Sequence, residues 1–101
     1  MVTEELRAQG YTVIEATNAS EAISVLQSSM RIDLVLTDIR MPGDLDGLGL
    51  ARMMRREHPL VKVVMASGHK PDTEENEIVD GFFFKPYDLP KLVGHINSLL
   101  T

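Results

Sequence analysis

Three residues with the chemistry of anion binding each follow an apolar run of the sequence. Asp38 follows Leu-Val-Leu-Thr, Ser67 follows Val-Val-Met-Ala, and Lys85 follows three phenylalanines. A carboxylate can capture a phosphoryl group as a weak nucleophile, and a hydroxyl or an ammonium can donate hydrogen bonds to phosphoryl oxygens. Taken singly, each residue has an ordinary alternative as a turn cap, a turn serine or a solvated lysine. Brought together, the three predict an anion-handling site.

The elements around these residues would bring them to one edge of a sheet. Short runs rich in β-branched or aromatic residues predict four strands, namely Tyr11–Glu15, Asp33–Thr37, Val61–Ala66 and Phe82–Phe84. Segments with helical periodicity separate the runs, so we expect an α/β fold in which helices cover both faces of a parallel sheet. Ligands of such sheets bind beyond the carboxyl ends of the strands. The three candidate residues stand at those ends.

Capping residues mark the ends of several predicted helices. Asn18, with Glu21 three residues later, is an N-cap pattern. Asp88 followed by Pro90 should begin the last helix, which carries a regular apolar stripe. Gly10 should end an opening helix, because glycine readily adopts the left-handed conformation found there.

The segment Leu48–Glu57 has the pattern of a half-buried helix. Three apolar residues should face the core, namely Leu50, Ala51 and Met54. The arginines should face water, namely Arg52, Arg55 and Arg56. The following His-Pro pair should stop the helix, because proline disfavours helical backbone in the residue before it.

Composition narrows the class of protein. The chain has 101 residues, enough for one domain, with 44% hydrophobic and 25% charged residues. A net charge of −5 works against nucleic-acid binding, and the lack of cysteine excludes disulfides and thiolate chemistry. No apolar run approaches the ~20 residues of a membrane span, and no signal-peptide pattern opens the sequence. We therefore expect a cytoplasmic protein without membrane or nucleic-acid partners.

Three segments together resemble a known family. In order along the chain, LVLTDIRMPG, VVMASGH and FFFKPYD are similar to the receiver domain of two-component response regulators. The resemblance runs from about Gly10 to the C-terminus and implies one receiver domain over residues 1–101, with a flavodoxin-like, doubly wound α/β fold. It also implies a non-enzymatic switch. A histidine kinase or phosphotransfer protein would phosphorylate Asp38 with the help of Mg²⁺, and an output partner that no motif names would read the change.

The resemblance also implies roles for individual residues. Ser67 would swing toward the phosphoryl group, and Phe82 would be the aromatic residue of the output face that follows it. Lys85 would contact a phosphoryl oxygen. Gly68 matches a small position that leaves room for the incoming group. The bond from Lys85 to Pro86 matches a cis peptide of the family.

Metal binding is where the sequence departs most from the family. The family's first strand ends in an acidic pair that binds Mg²⁺, and no segment here matches that strand, so four of the usual five strands are expected. Glu4 and Glu5 belong to the opening helix and do not substitute. The resemblance leaves Asp38 and the backbone carbonyl of Arg40 as metal ligands. A hard cation prefers more oxygen ligands than these, so we expect weakened Mg²⁺ binding.

The same departure predicts unpaired strand edges. In the family the first strand lies between the next two, which here are Tyr11–Glu15 and Asp33–Thr37. Unpaired edges invite association, so we expect either direct pairing of these two strands or self-association through this edge.

Two loops also differ from the family pattern. Met41–Gly47 is one residue longer than the commonest loop. Residues 70–77 are polar and acidic without an apolar stripe, so the fourth helix should be short or irregular.

Other functions remain open at this point. A phosphate-independent interaction module would use the same fold without the chemistry. An Asp-nucleophile phosphohydrolase usually has a second Asp two residues after the nucleophile, where this chain has Arg40. A nucleotide-binding protein would need a glycine-rich loop after a strand, and none is present.

Overall fold

The fold is taken from a computed structural model, which describes residues 2–38, 47–68 and 77–101. In chain order its elements are α1 (Val2–Ala8), α2 (Ala19–Gln27), β1 (Leu34–Asp38), α3 (Gly47–Glu57), β2 (Lys62–Ser67), β3 (Gly81–Phe84) and α4 (Leu89–Leu100). The predicted fourth helix and the long loop fall almost entirely outside the described residues.

The sheet of the described residues has three parallel strands in the order β1-β2-β3. Asp38 of β1 lies opposite Ala66 of β2, and Ser67 of β2 lies opposite Phe84 of β3. The central strand β2 is buried at every position after Lys62, because helices cover it from both sides. Its continuous run of apolar residues is typical of an interior parallel strand.

Helices cover both faces of the sheet, which confirms the predicted α/β, doubly wound class. On one face α2 and α3 pack on Val63 and Met65. On the other face α1 and α4 pack on Val64. Adjacent residues of a strand point to opposite faces, so β2 contributes to both apolar clusters. Among the described residues, no helix is both long and apolar enough to cross a membrane.

The helix ends lie where the capping residues predict them. The Asn18 side chain accepts a hydrogen bond from the Glu21 amide at 2.8 Å and starts α2. Asp88 accepts one from the Lys91 amide at 3.2 Å and starts α4. Gly10, after α1, has a φ of 98°, a left-handed conformation that glycine adopts without a steric penalty.

The prediction of a strand at Tyr11–Glu15 is wrong. This segment has no regular secondary structure, and the predicted direct pairing with β1 is absent. Its β-branched residues favour a strand, but a strand also needs a neighbour with which to exchange backbone hydrogen bonds, and no described strand lies beside it. Side chains hold it instead. The Tyr11 hydroxyl donates to Asn97 of α4, and Arg7 donates to the Val13 carbonyl at 3.1 Å.

The predicted exposure of Arg55 is also wrong. Its guanidinium forms an ion pair with Asp80 at 2.6 Å and donates to the Ile78 carbonyl, and 29% of the side chain is exposed. Helical periodicity puts Arg55 near the polar side of α3, but the segment leading into β3 passes over that position. The three apolar residues predicted to be buried in α3 are buried.

Candidate functional site at the carboxyl ends of the strands

Asp38 is the last residue of β1, where the strand opens toward solvent. Its side chain is 35% exposed, so a reactant can reach the carboxylate while the sheet holds the backbone. The preceding Thr37 is buried, and its hydroxyl donates to the Asp38 carbonyl at 3.0 Å. Sequence reasoning missed Thr37, because threonine is common in strands and carries no separate signal there.

Lys85 brings a positive charge to this carboxylate. Its backbone amide donates to the Ser67 carbonyl at 2.7 Å, which extends the pairing of β2 and β3 by one residue. Its ammonium forms an ion pair with Asp38 Oδ2, so the predicted contact between these side chains is confirmed. Because both groups are partly exposed, the pair adds little to stability, but it places a hydrogen-bond donor beside the Asp38 carboxylate.

Ser67 ends β2, the strand between the other two, and is 1% exposed. The next residue, Gly68, is exposed, and a side-chain carbon built there would have no atom of the described residues within 4 Å. No described residue therefore fills the space beside Gly68. The sheet thus brings a carboxylate, a hydroxyl and an ammonium to one edge, as the sequence predicts.

The remaining residues singled out by the sequence lie around this edge. Phe82 is opposite Met65 and is half-buried against the apolar cluster of α2 and α3. Phe84, two residues later, is 50% exposed. The Lys85–Pro86 peptide bond is cis, as predicted. The switching role of Phe82 stays a prediction.

Metal ligands are scarce among the described residues. Arg40, whose carbonyl is a predicted ligand, lies outside them. Within residues 2–38, 47–68 and 77–101, no three His, Cys, Asp or Glu side chains form a group that could hold a metal ion. Of the described residues at the strand ends, only Asp38 is acidic, and its carboxylate is paired with Lys85. Mg²⁺ needs several oxygen ligands, and the described residues supply too few of them to hold the ion on their own.

The arrangement suits the capture of a phosphoryl group. The carboxylate can attack phosphorus, and the ammonium beside it can offset the negative charge that gathers on the phosphoryl oxygens. The hydroxyl of Ser67 is a second donor at the neighbouring strand end.

Comparisons with known proteins agree with this chemistry. The family model described as the response regulator receiver domain matches residues 1–97. The sensor kinase CckA of Brucella abortus is 34% identical in an alignment of length 100 that covers 94% of this chain and 10% of CckA. The nitrogen assimilation regulatory protein NtrX of Azorhizobium caulinodans is 37% identical in an alignment of length 98 that covers 92% of this chain and 21% of NtrX. The chain thus spans about a tenth to a fifth of these relatives.

A solved structure extends the likeness to the fold. The response regulator TrrA of Thermotoga maritima, in complex with Mg²⁺ and BeF, superposes with a TM-score of 0.85 at 29% identity. The match covers 97% of this chain and 85% of TrrA. The likeness confirms the flavodoxin-like fold.

Proposed function

This chain belongs to the response regulator receiver domain family, the signalling module of two-component systems, and from that premise we propose that it accepts a phosphoryl group on Asp38. The observation that carries this proposal is the ion pair of Asp38 with Lys85, beside Ser67, at the carboxyl ends of three parallel strands. We take residues 1–101 as one receiver domain.

The proposed reaction is a direct phosphoryl transfer. An Asp38 carboxylate oxygen attacks the phosphorus of a phosphohistidine, so that an O–P bond forms while the P–N bond breaks. The imidazole nitrogen keeps the electron pair of the broken bond and later takes a proton from water. The acyl phosphate carries more negative charge than the carboxylate it replaces, and the ammonium of Lys85 is placed to offset that charge.

Phosphorylation would act on the structure through neighbouring residues. We propose that the Ser67 hydroxyl turns to donate to a phosphoryl oxygen, in the open space beside Gly68, and that Phe82 moves inward on β3. The change would be a shift between two existing conformations. The surface that Phe82 leaves behind would then be read by an output partner.

The donor would be a histidine kinase or a phosphotransfer protein. CckA is named a sensor kinase and NtrX a regulatory protein. These names support a histidine kinase or a phosphotransfer protein as the phosphoryl donor of this chain. We propose the cytoplasm as its location, because histidine kinases draw their phosphoryl groups from ATP there. Receivers of the family use Mg²⁺, and TrrA was solved with it, but we propose weaker Mg²⁺ binding here.

Labelling by a small phosphodonor tests the proposal. With acetyl phosphate and Mg²⁺, intact-mass spectrometry should show one phosphoryl group on the wild-type chain and none on Asp38→Asn. The matched control is Asp33→Asn, an exposed carboxylate just before β1 that pairs with Arg31. This control should be labelled like the wild type.

Two outcomes would contradict the proposal. Labelling that survives Asp38→Asn would move the acceptor to another residue. A folded wild-type chain that takes no label from acetyl phosphate or from a phosphorylated histidine kinase would favour the phosphate-independent interaction module instead. The small set of oxygen ligands among the described residues is the observation that speaks for that alternative.

A further inference from the structure

Thr37 places a hydroxyl on a buried, apolar surface of the sheet. It is the one residue of β1 that is buried, with 6% of it exposed. It lies opposite Met65 of β2 and, because side chains alternate along a strand, it points to the same face as Val35. Met65 belongs to the apolar cluster of α2 and α3, and Val35 packs against that cluster. A valine at position 37 would have nearly the same branched shape and would bring no hydroxyl into this surface.

The Thr37 hydroxyl forms its hydrogen bond with the residue that carries the proposed phosphoryl acceptor. Burial of a hydroxyl is costly unless it finds a hydrogen-bond partner. This hydroxyl donates to the backbone carbonyl of Asp38 at 3.0 Å. Polar residues at core positions are most often kept where function requires them. The bond therefore points to a role in the site at the carboxyl ends of the strands.

The bond restrains the backbone of Asp38. Pairing opposite Ala66 of β2 holds this residue within the sheet. The Thr37 hydroxyl in addition holds the Asp38 carbonyl, which limits rotation about the bond between the α-carbon and that carbonyl. The rotamers open to a side chain depend on the backbone angles of its residue. Thr37 thus narrows the directions in which the Asp38 carboxylate can point.

The direction of this carboxylate matters for the proposed chemistry. Asp38 Oδ2 forms its ion pair with Lys85, which follows β3 two strands away. Both side chains are partly exposed, so water competes with this contact and the pair alone fixes the carboxylate poorly. A misplacement of about 1 Å can slow a reaction by about 100-fold. A buried restraint on the Asp38 backbone supplies the precision that the exposed ion pair lacks.

We propose that Thr37 is a positioning residue for phosphoryl acceptance, whose hydroxyl holds the Asp38 backbone so that the carboxylate stays directed toward Lys85. In this role Thr37 does not touch the phosphoryl group. The inference rests on the proposed phosphorylation of Asp38 and adds to it a residue that acts through the acceptor. Labelling and stability should therefore respond differently when the hydroxyl is removed.

Substitutions that remove or keep the hydroxyl test the proposal. Thr37→Val removes it and should slow labelling of the chain by acetyl phosphate and Mg²⁺ by about tenfold, measured by intact-mass spectrometry. The urea midpoint of unfolding should change little, because valine loses one hydrogen bond and gains apolar burial. Thr37→Ser keeps the hydroxyl and should restore the wild-type rate. Thr12→Val makes the same change at an exposed position outside the site and should be labelled like the wild type.

The Lys85→Ala background shows whether Thr37 acts through the ion pair. In that background the contact toward which the carboxylate is directed has been removed. Adding Thr37→Val should therefore slow labelling much less than it does in the wild-type background. A residue that only supports the sheet would slow labelling by the same factor in both backgrounds.

Four results would overturn the inference. A folded Thr37→Val chain that is labelled at the wild-type rate would do so and leave the proposed function intact. A Thr37→Ser chain as slow as Thr37→Val would assign the effect to side-chain shape instead of the hydroxyl. The same slowing in both Lys85 backgrounds would assign it to the sheet. A wild-type chain that takes no label would overturn this inference and the proposed function together.

A second pair of variants applies if Thr37→Val does not fold. Thr37→Ser and Thr37→Ala both lack the methyl group and differ in the hydroxyl, so Thr37→Ala should be labelled about tenfold more slowly than Thr37→Ser. Equal rates would overturn the inference. Loss of folding in both variants that lack the hydroxyl would assign the hydroxyl to the stability of the sheet and would overturn the positioning role as well.

Discussion

The ion pair of Lys85 with Asp38 joins residues that are 47 positions apart in the sequence. Lys85 is 44% exposed and Asp38 35% exposed, so water screens the attraction between them. The pair therefore matters less for holding the sheet together than for placing a cation where the phosphoryl oxygens would lie. Stability and chemistry should respond differently when Lys85 is changed.

Substitution of Lys85 separates the two effects. Lys85→Ala should change the free energy of unfolding by at most about 1 kcal/mol, because the pair is partly exposed. It should slow labelling of Asp38 by acetyl phosphate by about 100-fold, since a donor to the developing charge is lost. Urea titration and the time course of labelling measure the two. Lys91→Ala, an exposed lysine at the start of α4, is the control and should change neither.

At the scale of elements, α4 packs closely against the start of β3. His95 Nε2 of α4 lies 3.1 Å from the Asp80 carbonyl and donates a hydrogen bond to it. The same ring packs in a T-shaped arrangement with Phe83, with 5.6 Å between the ring centres. A side-chain carbon at Gly81 would lie 2.4 Å from His95 Nε2. His95 therefore leaves no room for a side chain at position 81, between β3 and α4.

A pair of glycine substitutions tests this packing. Gly81→Ala should destabilise the fold by about 1–3 kcal/mol, because His95 must leave its place and give up its hydrogen bond. The carbon added by Gly94→Ala in α4 would meet no atom of the described residues within 4 Å, so this change should stabilise the fold by about 0.5–1 kcal/mol, because alanine favours helix. Urea unfolding measures both. Equal changes in the free energy of unfolding for the two variants would show that α4 leaves room for a side chain at position 81.

At the scale of the whole molecule, Asp80 connects α3 and β2 to the start of β3. Its carboxylate accepts hydrogen bonds from Arg55 of α3 at 2.6 Å and from the Val63 amide of β2 at 2.8 Å, just before β3 begins. Burial of the carboxyl group by itself raises the pKa of Asp80. The hydrogen bonds from Val63 and Arg55, with the charge of Arg55, outweigh burial and bring this pKa below its ordinary value.

The lowered pKa of Asp80 predicts a loss of stability in acid. The ionised carboxylate stabilises the fold fully above the ordinary unfolded-state pKa of about 3.9, and this contribution is lost as the pH falls through the lower pKa of the folded state. Asp80→Asn should cost about 1–3 kcal/mol at neutral pH. Its difference from the wild type should shrink below about pH 4. Urea unfolding from neutral to acidic pH checks this, with Asp33→Asn as a control of smaller effect. A difference that grows in acid would contradict it.

Much of the fold follows from local patterns in the sequence. The caps at Asn18 and Asp88 are set by side chains that bond amides three residues away, so the local sequence is sufficient to place them. The strands β1, β2 and β3 appear within one residue of their predicted starts, because continuous apolar runs can be satisfied only inside the sheet. The meeting of Asp38, Ser67 and Lys85 was predictable too, since parallel strands share a carboxyl edge.

Other features depended on contacts between distant segments. Tyr11–Glu15 has the composition of a strand, yet no described strand lies beside it to accept its backbone hydrogen bonds. The helical spacing of Arg55 is that of a solvated residue, yet its guanidinium forms an ion pair with Asp80, 25 positions later in the sequence. Periodicity and helix capping depend on neighbouring residues, so the sequence alone determines them. Strand neighbours and ion partners come from distant segments, so only the packing of the whole chain decides them.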